Sequence, residues 1–179
     1  MPQYVQPGNL ARLGVITSIL ALGACLGGGG GGGSSSSEPS TRFSATIERT
    51  TYGIPHITAD DYAGAGYGHG YAIAEDNLCV LADAFITYRG ERSQYFGPDA
   101  PASLASTFGS PPNLEADFFF RFIVNDEAVT RFRDDQNQDV RDLVSGFTAG
   151  YNRYVREILD DGHAGRHADC RNQPWLAEI

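Results

Sequence analysis

The chain has 179 residues, 41% of them hydrophobic and 20% charged, an ordinary globular balance with room for one domain. Its formal charge of -9, from 22 acidic residues against 13 Lys and Arg, opposes any sequence-independent hold on phosphate backbones, so nucleic acid is not an expected partner. The arginines are interspersed with acids and read as a mixed, solvated surface.

Residues 13–26 are apolar or small, with Arg12 as the one charge before them. That stretch is short for a membrane span and reads as the core of a signal peptide. It ends Leu22-Gly23-Ala24-Cys25, which resembles a bacterial lipobox, where the cysteine becomes the lipidated N-terminus. The glycine run 27–33 and the serine run 34–37 then behave as flexible coil, because nothing in them can be buried to offset the entropy of ordering. No Lys-Ser/Thr follows the glycines, which excludes a phosphate-binding loop. The expected organisation is a signal peptide over 1–25, a disordered tether over 26–40 and a domain over 41–179. It implies an exported, periplasmic or outer-membrane lipoprotein held to the membrane through Cys25.

Within the domain, residues 43–49 alternate, with Phe43, Ala45 and Ile47 on one side, as a half-buried strand requires. Tyr52-Gly53-Ile54-Pro55 supplies turn chemistry and Ile57 and Ala59 resume the alternation, which predicts a hairpin or a bent continuation. Asp60-Asp61 can cap a helix reaching about Tyr88, with Ile73, Asn77, Leu81, Phe85 and Tyr88 on one stripe and Gly90 closing it. Glycines 64, 66, 68 and 70 each cost about 1 kcal/mol relative to Ala in a helix, so close packing against a sheet or another helix is expected there. Residues 93–114 read as loop, and Phe118, Phe119, Phe120 and Phe122 form an aromatic cluster whose first reading is core packing. The clearest helix covers 140–159, where Val140, Leu143, Val144, Phe147, Tyr151, Tyr154, Val155 and Ile158 recur at three and four residues. Asn137 can cap it and Gly162 can end it.

Neither Gly-x-Ser-x-Gly nor His-Glu-x-x-His occurs, and His69 and Tyr71 stand where a dinucleotide fingerprint needs its third glycine. His163, His167 and Cys170 have spacings that could gather three metal ligands, but an exported protein uses its cysteines for disulfides, so no metal site is expected. Besides Cys25, only Cys79 and Cys170 remain, and in an oxidising compartment they are expected to pair. Glu75 and Asp76 are adjacent on a helix and do not face each other, so one is expected in a structural hydrogen bond or ion pair. His56 and His69 are likewise read as structural. From the residues alone the chain is an exported α+β domain without a complete catalytic set.

Three stretches carry a resemblance. The first runs Arg49-Thr50-Thr51-Tyr52-Gly53-Ile54-Pro55-His56-Ile57 and on through Gly66-Tyr67-Gly68-His69-Gly70-Tyr71-Ala72-Ile73-Ala74-Glu75-Asp76-Asn77. The second is Arg89-Gly90-Glu91-Arg92-Ser93-Gln94-Tyr95-Phe96-Gly97, and the third comprises Gly150-Tyr151-Asn152-Arg153-Tyr154 with Cys170-Arg171-Asn172-Gln173-Pro174-Trp175-Leu176. In order and spacing these resemble the opening of the penicillin acylase family. The Arg-Gly-Glu-Arg stretch and the Cys79 and Cys170 pair look most like its acyl-homoserine lactone and aculeacin A acylase branch.

The resemblance implies an N-terminal nucleophile hydrolase with an αββα sandwich, of which this chain is an incomplete part, mostly helical with an N-terminal strand or hairpin. It implies a precursor that cuts itself into an α and a β chain, the serine freed on the β chain attacking a linear amide. On that reading this chain is the N-terminal α-chain portion, truncated at its C-terminus and inactive alone. Its partners are its own β chain and an acyl amide substrate, and no catalytic residue, cofactor or metal is carried over. Phe118, Phe119, Phe120 and Phe122 are candidates for one wall of the acyl pocket. The rival expectation is an exported lipoprotein binding module of acylase-like shape without catalysis.

Overall fold

The computed structural model describes residues 43–103, 107 and 109–179. The signal, lipobox and tether readings, Cys25 included, lie outside the described residues. Among the described residues the chain is mostly helical with one two-stranded sheet. Thr46–Arg49 (β1) and Pro55–Thr58 (β2) pair antiparallel with Ile47 opposite Ile57, and Gly53 supplies the positive φ of 80° in the turn. The hairpin expected from the alternation is therefore present, with β1 starting three residues later than Phe43.

Tyr62–Arg89 (α1) is the central helix. The Asp61 carboxylate accepts from the Gly64 N–H at 2.6 Å, capping its start. At its end Gly90 adopts φ 64° and donates to the carbonyls of Ile86 and Thr87. Successive even positions on a helix lie about 200° apart, so the four early glycines divide into two pairs. Gly64 and Gly68 face the strand side: a methyl at Gly68 would stand 2.6 Å from Ile57 Cγ2 and 2.9 Å from Ala45 Cβ. Gly66 and Gly70 face Gln138–Leu159 (α5), where a methyl at Gly70 would stand 2.8 Å from the Phe147 carbonyl carbon. Gly146 and Gly150 of α5 reciprocate against the backbones of Ala63 and Tyr67. The close packing expected of these glycines is thus made against both a sheet and a helix.

That contact also corrects the expected stripe on α1. The buried line is Gly70, Ala74, Leu78, Ala82 and Ile86, while Asn77 and Tyr88 are exposed and Leu81 and Phe85 only border the core. Small residues decide the contact because they let the backbones approach; the larger ones are turned aside. Helix α1 also kinks at Asn77, whose φ of -139° and ψ of 32° leave the helical range. Arg49 of β1 is held at that kink by Glu75 at 2.6 Å and Asp76 at 3.0 Å, so both carboxylates join the expected ion pair.

Helix α5 is capped as expected, with the Asn137 side chain accepting from the Val140 N–H at 3.0 Å. It ends at Leu159, with Asp160 as cap residue, two residues before Gly162. Tyr151, Tyr154, Val155 and Ile158 from its second half meet Leu78, Ala82, Cys170 and Leu176 in the core. Cys79 and Cys170 form a disulfide across 91 residues, worth about 4–5 kcal/mol in the chain-entropy model. Because Cys170 is oxidised in this bond, it is no thiolate ligand for a metal alongside His163 and His167.

One further expectation is corrected, and two helices had not been expected. Residues 93–96 belong to a short helix, Arg92–Phe96 (α2), within the stretch expected to be loop. The aromatic cluster lies on Asn113–Ile123 (α3). Asp126–Asp134 (α4) has no counterpart in the sequence reading, although Asn125 caps it and its first and last turns are acidic and basic, respectively.

Candidate functional site

The arrangement that positions the aromatic cluster begins with a buried arginine. Arg92 is 4% exposed, and its guanidinium donates to Asn113 Oδ1 at 2.9 Å, Asp83 Oδ1 at 2.7 Å and Thr87 Oγ1 at 3.0 Å. Asn113 in turn donates to the Gly97 carbonyl at 2.9 Å. Asp117 completes the network from α3 by accepting the backbone N–H groups of Arg92 and Ser93, both at 2.8 Å, and the Ser93 hydroxyl. It thereby caps α2 from another helix, in the role an N-cap residue would otherwise fill. A buried guanidinium with an acidic partner and directed hydrogen bonds on separate elements fixes the relative placement of α1, α2 and α3.

This anchoring overturns the core-packing expectation for the aromatic cluster. The buried stripe of α3 is polar or small, comprising Asn113, Ala116 and Asp117, so the large rings are turned to the other side. Phe118, Phe119 and Phe122 are 69%, 57% and 79% exposed. Phe120 alone is half-buried, its ring 5.4 Å from that of Tyr88 and 5.3 Å from that of Phe119. A helix that buries its polar side and presents phenyl rings outward has its apolar surface available to something else.

The first half of α5 behaves similarly. Val140, Leu143 and Val144 share the three-and-four recurrence of the buried residues in its second half, yet they are exposed at 36%, 41% and 56%. Val140 and Val144 line an apolar groove of about 500 Å³ together with Phe132 and Gln136, with Arg133 and Arg141 also on its walls. Val144, Leu143 and Phe147 continue into a second depression shared with Ile57 and His69. His69 is exposed and its ring lies 5.7 Å from that of Phe147, while His56 is exposed on β2 opposite Glu48.

A second polar cluster lies at the C-terminal half of α5. Burial alone would raise the Glu157 carboxyl, but hydrogen bonds from His163, Tyr71 and Arg153 hold it below its ordinary value. Tyr71 is pushed upward by burial and by donating to the same carboxylate at 2.8 Å. Tyr67 and Tyr71 flank the Arg153 guanidinium, which lies 6.0 Å and 5.5 Å from their ring centres. Among the described residues no group of three or more His, Cys, Asp or Glu side chains is arranged to hold a metal ion.

Sequence reasoning found the aromatic cluster and the disulfide but missed the Arg92, Asn113 and Asp117 network. Its residues are 21 and 25 apart in the chain, and no local periodicity signals such a contact.

Comparisons with known proteins agree with one another. The penicillin amidase family model matches residues 44–176. The chain is 45% identical over 141 residues to an acyl-homoserine lactone acylase of Pseudomonas fluorescens, covering 79% of this chain and 17% of the relative. It is 37% identical over 138 residues to the aculeacin-A acylase of Actinoplanes utahensis, covering 76% and 17%. A thermostable penicillin G acylase from Alcaligenes faecalis has a similar structure, with a TM-score of 0.52 and 28% identity over 64% of this chain and 54% of that one. The chain thus spans about a sixth of the length of the two sequence relatives. Its match to the family model over most of the domain decides its kinship: the chain belongs to the penicillin amidase family.

Proposed function

We propose that this chain is the N-terminal, α-chain part of an acylase that hydrolyses a linear amide, an acyl-homoserine lactone or a related acyl amide. The observation that carries the reading is the 45% identity to an acyl-homoserine lactone acylase over 79% of the chain. The uncovered phenyl rings of α3 and the open apolar face of α5 support it, since a partial domain leaves bare the surface that its remainder covers.

In this reading α1, α5 and the hairpin complete an αββα sandwich whose other strands come from the β chain. The serine at that chain's N-terminus attacks the amide carbonyl with its own α-amino group as base. Hydrogen-bond donors hold the oxyanion, and water then releases the acyl group as a fatty acid. Phe118, Phe119, Phe120 and Phe122 contribute apolar surface to the wall of the acyl pocket, and the Arg92 and Asp117 network holds α3 in place behind them. Nothing in this part acts as nucleophile, so its role is to scaffold the site.

The experiment is to express the complete reading frame and measure the intact masses of the product. Cleavage into two chains, with Cys79 and Cys170 both on the N-terminal one, is the expected result. A single uncut chain would contradict the reading. The exported, lipid-anchored location rests on the Leu22-Gly23-Ala24-Cys25 string. Replacing Cys25 with Ser should release the protein from membranes, and unchanged fractionation would contradict that part alone.

A further inference from the structure

After α5 the chain turns back over its own helix through a segment with three non-glycine residues in the left-handed region: Asp161 at φ 61°, His163 at φ 51° and His167 at φ 54°. Backbones of this kind persist only where their surroundings hold them. Two ends are held firmly. His163 Nε2 lies 2.8 Å from Glu157 Oε2, on a carboxylate that Tyr71 and Arg153 also engage. Cys170 is tied to Cys79 on α1 by the disulfide. Between these ends the ring of His167 lies with Nε2 2.9 Å from the Tyr154 hydroxyl.

The surroundings of His167 favour a neutral ring. Burial and the neighbouring Arg166, His163 and Arg171 of its own segment disfavour charge; against them, from α1, a hydrogen bond to the Glu75 backbone favours the protonated ring, and from α5 the ring meets the Tyr154 hydroxyl. The nearby carboxylates are engaged elsewhere: Glu157 by His163, Tyr71 and Arg153, Glu75 by Arg49 and Arg166, and Asp161 by Arg171. A neutral imidazole with a bare Nε2 accepts the Tyr154 O–H. Protonation puts an N–H on that atom, so the bond must reverse, and it adds a positive charge beside two guanidinium groups.

We propose that residues 164–169 form an acid-opened flap, hinged at His163 and Cys170 and latched by the hydrogen bond between His167 and Tyr154. Burial first, and then Arg166, lowers the His167 pKa from its ordinary 6.5. The closed form is therefore fully favoured above 6.5, and this contribution is lost as the pH falls through the lowered folded value. Glu157, also lowered, releases its hinge only in stronger acid. The flap goes beyond the acylase reading and stands whether or not that reading holds.

The test is hydrogen exchange on the complete protein at about pH 7.5 and about pH 5, corrected for intrinsic rates. The amides of Arg166, Cys170 and Arg171, which donate to the His163 and His167 carbonyls, should lose protection severalfold at the lower pH, while Val155 and Ile158 keep theirs. His167→Gln retains an acceptor for Tyr154 without a titrating proton and should abolish the difference. Protection that does not change with pH, or a change that persists in the variant, would overturn the proposal. Should the variant not fold, the His167 ring resonance in the natural protein decides. It should titrate below 6.5 together with the loss of protection, and titration apart from it would overturn the flap.

Discussion

Gly70 meets the backbone of Phe147 so closely that a methyl group on it would stand 2.8 Å from the Phe147 carbonyl carbon. In most helices Gly→Ala is a gain of about 1 kcal/mol. Here the neighbour is main chain fixed by its own helical hydrogen bonds, so the methyl cannot be accommodated by a rotamer change. Gly70→Ala should lower stability by about 2–3 kcal/mol in urea denaturation of the complete protein. Stability equal to or above that of the natural protein would show that α1 and α5 do not meet backbone to backbone.

Asp117 is the one side chain that accepts both the Arg92 and the Ser93 N–H at 2.8 Å. Asp117→Ala leaves those donors without their acceptor at a buried helix start and should cost about 3 kcal/mol or more. It should also loosen α3 relative to α1, read as faster amide exchange across Asn113–Ile123. A loss under about 1 kcal/mol would show that the network is not what holds the phenyl-bearing helix.

The Tyr151 hydroxyl is fully buried and has no hydrogen-bond partner among the described residues, and burial pushes its pKa up to about 12. An unpaired buried hydroxyl is a cost with no matching gain. Tyr151→Phe, which keeps the edge-on contact with the Phe85 ring at 5.1 Å, should leave stability unchanged or raise it by about 1 kcal/mol. Thermal denaturation that shows a loss of similar size would mean that the hydroxyl is satisfied after all.

The hairpin, the two long helices, the Asn137 cap and the disulfide were legible because each follows from a local rule: alternation, a recurring three-and-four spacing, a side-chain acceptor before a helix, or a count of cysteines. What escaped was set by long-range geometry. The glycines at 64, 66, 68 and 70 announced close packing, but only the fold shows that they serve two neighbours. The same packing turned the expected stripe of α1 towards its alanines. The aromatic cluster was legible as a cluster and misread as core, because Asn113 and Asp117 claim the inward side of α3 through partners far along the chain. Helix α4 had a readable signature in Asn125, Asp126 and Glu127, capping and acidic first-turn residues, which the apolar pattern of its neighbours overshadowed.

On the reading proposed above, this chain scaffolds an acylase whose nucleophile lies outside it. The most direct test of that reading is to incubate the purified product of the complete reading frame, and separately this 179-residue chain, with long-chain acyl-homoserine lactones and to quantify released fatty acid. The expected result is release by the complete product and none by this chain alone. Substrate that is bound but not hydrolysed by the complete product would contradict the reading and favour a binding module of acylase-like shape.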